Sequence, residues 1–346
     1  MQNQSEKSIL KKCLDIWIAF SAVVLLIMVL ATVFSSIMVP KNDVELMQAW
    51  EKSHNRMCTK IMKDAEKGKE KEVTEYRMYY LVKEDYWETH EKEMFYYESQ
   101  CAGMELYMGL AQPVLRMPFN DVYLAQASPS SKGFTNTQFL ESKVEAKDFA
   151  TSILFDLCQD RRDELETIEL HLTEKASYMT KDENFEKNLM EKHTQEAWSC
   201  MVGEAVKTET VCAGYARAVY MLCQERGIPC ICVKGTLNGG NHLWNLVYVD
   251  GQWLHLDVTN TDLERENQRT FMDYMENTKW PENPYLKMYE DEKKYQDKRD
   301  RKKAYYYLVD EETARKKLTY NVSAIAVSIE ALYPELLEDY MKQIEG

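Results

Sequence analysis

What most limits how this chain can fold lies at its start. From Ile16 to Val39 it reads "IWIAFSAVVLLIMVLATVFSSIMV", without one charged residue. At a rise of about 1.5 Å per residue, such a helix crosses a hydrocarbon core about 30 Å thick. Trp17 sits near one end, where an interfacial aromatic belongs. Lys7, Lys11 and Lys12 precede the run, and Lys41, Asp43 and Glu45 follow it. The positive-inside bias therefore leaves the N-terminus in the cytoplasm and the remainder outside. The rival reading is a cleavable signal peptide, whose apolar region is usually about 7–15 residues long and ends at a small-x-small site. This run is longer and "ATVFSS" is a poor cleavage site. The expectation is a cytoplasmic segment 1–15, then an uncleaved signal anchor over 16–39 that holds the protein to the membrane.

That location governs how the composition is read. The 346 residues are 45% hydrophobic and 29% charged, enough for one large or two modest cores. The net charge is −14, and beyond the first dozen residues bases gather only at Lys316-Lys317 and in "DEKKYQDKRDRKK", where acids interrupt them. Such a surface repels a polyanion, so no nucleic-acid partner is expected. Of nine cysteines, Cys13 borders the apolar run and eight lie outside, where disulfides are permitted but spacing does not give their pairing. Cys230 and Cys232 form a C-x-C without a second pair, explained by two side chains on one strand face. There is no HExxH, calcium loop or glycine-rich phosphate loop, so neither metal nor cofactor is expected.

Beyond the anchor, Val44, Met47, Trp50, His54, Met57 and Ile61 recur at helical spacing over 42–67, before the charged turn "KDAEKGKEKEV". The tyrosine-rich stretch that follows fits strands or a helix. Residues 126–140, beginning "QASPSSKGFTNTQ", read as a linker by their Ser, Pro and Gly content. They separate an N-terminal extracytoplasmic region, 42–125, from a second unit with its boundary near Glu141. Past it, "AKDFATSILFDLCQDRRDE" reads as an amphipathic helix, "TIELHLTE" as an alternating strand, and Glu183–Glu204 as a further helix.

The stretch "TVCAGYARAVYMLCQERGIPC" carries the sharpest signal. Ala216, Val219, Tyr220 and Cys223 fall on one helical stripe, Gly227 closes the helix, and Pro229 prevents its continuation. Thr208 or Thr210 is placed to cap its start. Cys212 then occupies the first turn, where backbone N–H groups are free and the dipole favours thiolate over thiol. Downstream, "CICVKGTL", "HLWNLVYV" and "QWLHLDVT" read as strands, the last two joined by a hairpin at Asp250-Gly251. His242 and Trp244 share one face; Trp253, His255 and Asp257 share another.

A cysteine at a helix start, a histidine on an adjacent strand and an aspartate one hairpin away form a nucleophile, base and orienter set. The candidates are Cys212, His242 and Asp257. Against this, most buried cysteines only pack, and an aspartate after a strand usually caps a turn or helix. His255, two residues before Asp257 on the same face, competes with His242 as the base.

The text from Val211 to Asp262 resembles the transglutaminase-like superfamily of papain-type thiol enzymes. The matching motifs are Cys212 with Gly214-Tyr215-Ala216, then Gly227-Ile228-Pro229, His242-Leu243-Trp244-Asn245, Gly251-Gln252-Trp253 and Asp257-Val258-Thr259. Leu243 stands where alanine is common, and Asn260 where many bacterial relatives carry an aromatic. Weaker resemblance extends the domain to 146–325, leaving 326–346 as a helical tail. The resemblance implies an α+β fold, with the cysteine-bearing helix packed on an antiparallel sheet, behind the transmembrane helix and an added N-terminal α/β region. It also favours His242 over His255. It implies a membrane-anchored, extracytoplasmic cysteine enzyme acting on protein or peptide amides through a thioester, hydrolase rather than crosslinker. The other class of function compatible with the fold is a non-catalytic surface binding or scaffold module.

Overall fold

A computed structural model describes residues 2–85, 87, 101–102, 105–109, 111–117, 121–178, 201, 208–237, 239–262 and 307–345. All of the apolar run but Val39 lies within α1, Gln2–Met38, of which Leu14–Val33 is long and apolar enough to cross a membrane. That stretch contributes nothing to the folded interior.

The N-terminal layer is built on α2, Asp43–Glu66, capped by Asn42, whose side chain accepts from the Glu45 amide at 2.8 Å. Its buried side chains include Met47, Trp50, His54, Met57 and Ile61, the stripe that its spacing predicts. Against it lies β1 (Met78–Lys83), the edge of an antiparallel sheet of order β1-β4-β3 that continues through β4 (Val122–Ala127) to the exposed β3 (Gln112–Arg116). The tyrosine-rich stretch opens on the 3-10 turn Val73–Glu75 and supplies β1; beyond Asp85 only Trp87 of it is among the described residues.

Residues 126–140 contain the end of β4, a bridge from Pro129 to Met108, and the start of α3, Asn136–Ala150. Thr135 and Gln138 form a reciprocal capping box there, while Phe134 and Phe139 are buried in the same core as α2. Beyond α3 the expected single helix is broken. The Thr151 hydroxyl bonds back to the Lys147 and Asp148 carbonyls, ending α3 before the one-turn α4, Ile153–Asp156.

"TIELHLTE" is not a strand. It lies in α5, Arg161–Lys175, where Asp160 accepts from the Arg162 and Asp163 amides. Leu165, Ile168 and Leu172 bury one face at intervals of three and four. The alternation of Ile168, Leu170 and Leu172 is local, and the wider period prevails. The helix expected over 183–204 lies outside the described residues, except Met201.

α6, Cys212–Arg226, follows β6 (Thr208–Thr210), which pairs in parallel with β5 (Ala176–Tyr178). Gly227 ends it with φ 64°, a left-handed value that a residue without a β-carbon takes without strain. Its residues 214–223 are all buried, not one stripe only. One side packs on β7 (Cys230–Leu237) and β8 (Gly240–Val249), and the other meets α3 and α5. A helix covered on every side can be apolar all round.

β7, β8 and β9 (Gln252–Leu256) run antiparallel; β10 (Leu318–Tyr320) and the short β2 (Cys101–Ala102) pair with the other edge of β7. Asp250 and Gly251 turn β8 into β9 with φ 54° and 78°, the paired positive values of a tight hairpin. On the face away from α6, Ile231, Trp244, Leu246 and Trp253 share a core with the one-turn α7 (Glu311–Ala314), α8 (Val322–Leu332) and α9 (Leu337–Glu345). α8 also packs against α2, so the C-terminal helices join the two layers. The result is α+β, with a nucleophile-type helix on an antiparallel sheet.

Candidate active site

The helix that carries Cys212 is fixed by polar bonds within its first turns. The Tyr215 hydroxyl donates to Asp262 at 2.7 Å, and Asn245, on β8, donates to the Ala216 carbonyl at 2.9 Å. Its far end is held by Arg226, which donates to the Ala150 carbonyl at 2.9 Å and to Glu164 at 2.7 Å. Cys212 is therefore set by contacts to the same two segments that bear His242 and Asp257.

Neither Thr208 nor Thr210 caps α6. The N-cap is Val211, extended at φ −121° and ψ 176°, and among the described residues no side-chain cap takes the first-turn amides. Those amides remain donors without a side-chain acceptor at the residue where a nucleophile would need an oxyanion partner.

His242 Nε2 lies 2.7 Å from Asp257 Oδ2, with both residues buried. A carboxylate only accepts, so the imidazole donates through Nε2, and Nδ1 is the nitrogen left for other partners. Burial alone would lower the His242 pKa. The Asp257 charge and hydrogen bond, followed by the hydrogen bond and charge of Cys212, outweigh it and raise the value to about 10. His242 is accordingly held as an imidazolium between a carboxylate and a thiol.

Asp257 has two tasks. Residues 258–262 are helical, and the Asp257 side chain accepts from the Asn260 amide at 3.3 Å through Oδ1. Its other oxygen, Oδ2, takes His242. The aspartate thus caps the short helix through Oδ1 and holds the imidazole through Oδ2. Asn260 Nδ2 donates to Oδ2 at 2.6 Å and lies 3.1 Å from His242 Nε2. Two donors cannot bond each other, so the amide serves the carboxylate and buttresses the pair. Sequence reasoning noted Asn260 only as a departure from an aromatic; its position three residues beyond Asp257 is the signal that marks it.

Tyr178, at the end of β5 and paired with Thr210, was also missed. Burial, then the charges of Cys212 and Asp257, push its hydroxyl up to about 12, so it is a neutral donor beside the same groups. His255 is not free to serve as the base. Trp244 Nε1 donates to its Nδ1 at 2.9 Å, and its Nε2 faces Glu311 at 2.9 Å, which occupies both ring nitrogens.

The other thiols near α6 have a different character. Cys223, Cys230 and Cys232 are buried, and burial pushes the Cys230 thiol well above its ordinary value. Among the described residues no three His, Cys, Asp or Glu side chains gather as a metal site.

Residues 151–258 match the family described as the transglutaminase-like superfamily. Among solved structures, one TGase is 15% identical over 44% of this chain and 44% of its own, with a TM-score of 0.27. A candidate cysteine protease from Cytophaga hutchinsonii is 14% identical over 40% of this chain and 52% of its own, with a TM-score of 0.26. The periplasmic domain of TgpA from Pseudomonas aeruginosa, bound to ethylmercury, is 14% identical over 55% and 74%, with a TM-score of 0.25. The chain thus spans about half the length of the first two. No curated protein matches it. The likeness to the transglutaminase-like superfamily thus rests on the sequence match over 151–258, which takes in α6, β7, β8 and β9.

Proposed function

We propose that this is a membrane-anchored, extracytoplasmic cysteine hydrolase of protein or peptide amides, with Cys212 as nucleophile, His242 as proton carrier and Asp257 as its orienter. One observation carries the reading: the buried 2.7 Å His242–Asp257 pair, which holds the imidazole charged with Cys212 as a further contributor. The Cys212 thiolate attacks the substrate carbonyl carbon, and the new oxyanion is met by the Cys212 backbone N–H at the uncapped start of α6. The tetrahedral carbon then expels the amine, which takes the proton from His242, leaving a thioester and a neutral imidazole. His242 next removes a proton from water as it attacks the thioester. Loss of thiolate releases the carboxylic acid and restores the ion pair.

Water needs no binding site of its own, whereas transfer needs a bound amine; hydrolysis is the simpler outcome of this chemistry. The apolar helix α1 and the lysines before it support anchoring with the folded body outside the cytoplasm. The test is iodoacetamide alkylation of Cys212 across pH in wild type and His242→Ala, followed by incubation with amide donors with and without a primary amine. An alkylation profile unaltered by His242→Ala removes the basis of the proposal. Amine incorporation in place of free acid turns the hydrolase into a transferase.

A further inference from the structure

Two buried histidine–carboxylate pairs stand beside each other on the sheet, His242–Asp257 and His255–Glu311, and Trp244 lies between them. We propose that His255 is a positioning residue for His242, acting through Trp244. The proposal rests on the reading of His242 as proton carrier.

An indole N–H can only donate, so the 2.9 Å contact makes His255 Nδ1 the acceptor. The His255 proton then lies on Nε2 and points to Glu311 Oε2 at 2.9 Å, while Arg315 donates to the other oxygen of Glu311 at 2.8 Å. The backbone of His255 exchanges two bonds with Val309, of 2.8 and 3.0 Å, and Tyr320 lies edge-on to Trp244 at 5.6 Å. Gly235 completes the enclosure. A β-carbon there would collide with the Thr319 carbonyl and lie 2.8 Å from Trp244 Cη2. The indole is thus held at its nitrogen, at its edge and at its far ring.

His242 stacks on the face of that indole, with centroids 5.7 Å apart and planes 17° apart. Asp257 fixes where Nε2 lies, but a ring held at one atom can still tilt about that bond. The indole face fixes the tilt, and together they leave Nδ1 one direction, toward Cys212. An imidazolium is also favoured on an indole face, so the stack supports the charged form. Glu311 and Arg315 serve by keeping His255 in the tautomer that accepts from Trp244.

The test uses the full chain. His255→Phe keeps a ring but offers the indole no acceptor; His255→Gln restores an acceptor oxygen. His255→Phe is expected to lower kcat about a hundredfold at nearly constant KM, the scale of a small misplacement at a reacting group. The pH midpoint of Cys212 alkylation should rise, and His255→Gln should recover part of both. Trp244→Phe should reproduce the loss, and the double variant should fall no further than either single one. A folded His255→Phe within about threefold of wild type, or losses that multiply in the double variant, overturns the proposal. If His255→Phe does not fold, the wild-type Trp244 indole N–H decides by hydrogen exchange. Strong protection together with an Nε2–H His255 tautomer supports the proposal, and exchange as fast as an exposed indole overturns it. Failure of the function itself reads separately, as wild-type alkylation indifferent to His242→Ala.

Discussion

Two long helices each bring a cysteine to a histidine, and they use the pair differently. On α2, Cys58 Sγ lies 3.7–3.8 Å from the His54 ring, one turn apart within the helix and wholly buried. Burial drives the His54 pKa down to about 4, and the helix start is closed by Asn42. On α6, Cys212 stands at an open start, and His242 comes from another strand with a carboxylate behind it, its pKa raised to about 10. Proximity of thiol and imidazole is common to both. What separates them is a carboxylate at 2.7 Å, which keeps the ring charged against burial, and a helix end whose amides are not already capped.

The sharpest way to break this contrast is to remove the carboxylate. Asp257→Ala should cost about 10⁴-fold in kcat, as loss of an orienter does in related triads, with Cys212→Ala abolishing turnover. The matched change on α2, Cys58→Ala, should leave the rate within about threefold while destabilising the fold by roughly 1–2 kcal/mol. Steady-state kinetics beside thermal melts separates the two.

A second difference concerns pH. Glu51, also on α2, is raised from 4.5 to about 8 by burial and then by Glu105. A folded-state value above the unfolded one means that this stabilising contribution is complete below about pH 4.5 and is lost as pH rises toward 8. The slope is up to about 1.4 kcal/mol per pH unit. Glu51→Gln should flatten that decline, seen as a higher Tm than wild type at pH 8–9. A pH–Tm curve unchanged by the substitution would contradict it.

Closing the open helix is the third probe. Val211→Thr supplies α6 with a capping hydroxyl, expected to add up to about 1 kcal/mol of stability while lowering kcat about tenfold, because the first-turn amides acquire a competitor. If both rise, those amides take no part in the reaction. The smallest effect is Asn42→Ala, which removes the α2 cap at a cost of about 1 kcal/mol and leaves Cys212 alkylation unaltered.

The sequence made some of this legible because certain residues act locally. Gly227 and Pro229 mark the end of α6, Asp250-Gly251 the hairpin, and the spacing of Met47, Trp50 and Ile61 the buried face of α2. The nearness of His242 and Asp257 follows from strand alternation and one hairpin, whereas the preference for His242 over His255 came from the family resemblance. Other features depend on tertiary partners. α5 reads as a strand in an eight-residue window because Glu169 and His171 interleave with Ile168, Leu170 and Leu172. A capping Thr before α6 was expected because threonines stand there, yet Thr208–Thr210 is committed to β6, which moves the cap to Val211. Asn260 and Glu311 acquire meaning only once the segments around β9 are placed.

The burial of α6 on all sides sets a limit on dissection of the molecule. The family match begins at residue 151, after α2 and most of the N-terminal layer, and stops before α8 and α9. A fragment cut to that match would lay bare the flank of α6 that meets α3, and the sheet face under Trp244 and Trp253. Exposed apolar areas of that kind promote aggregation. The part that recurs across the family is therefore not portable by itself in this protein. The N-terminal layer and α6 both pack on α3, so a strain in that layer is felt one helix away from Cys212.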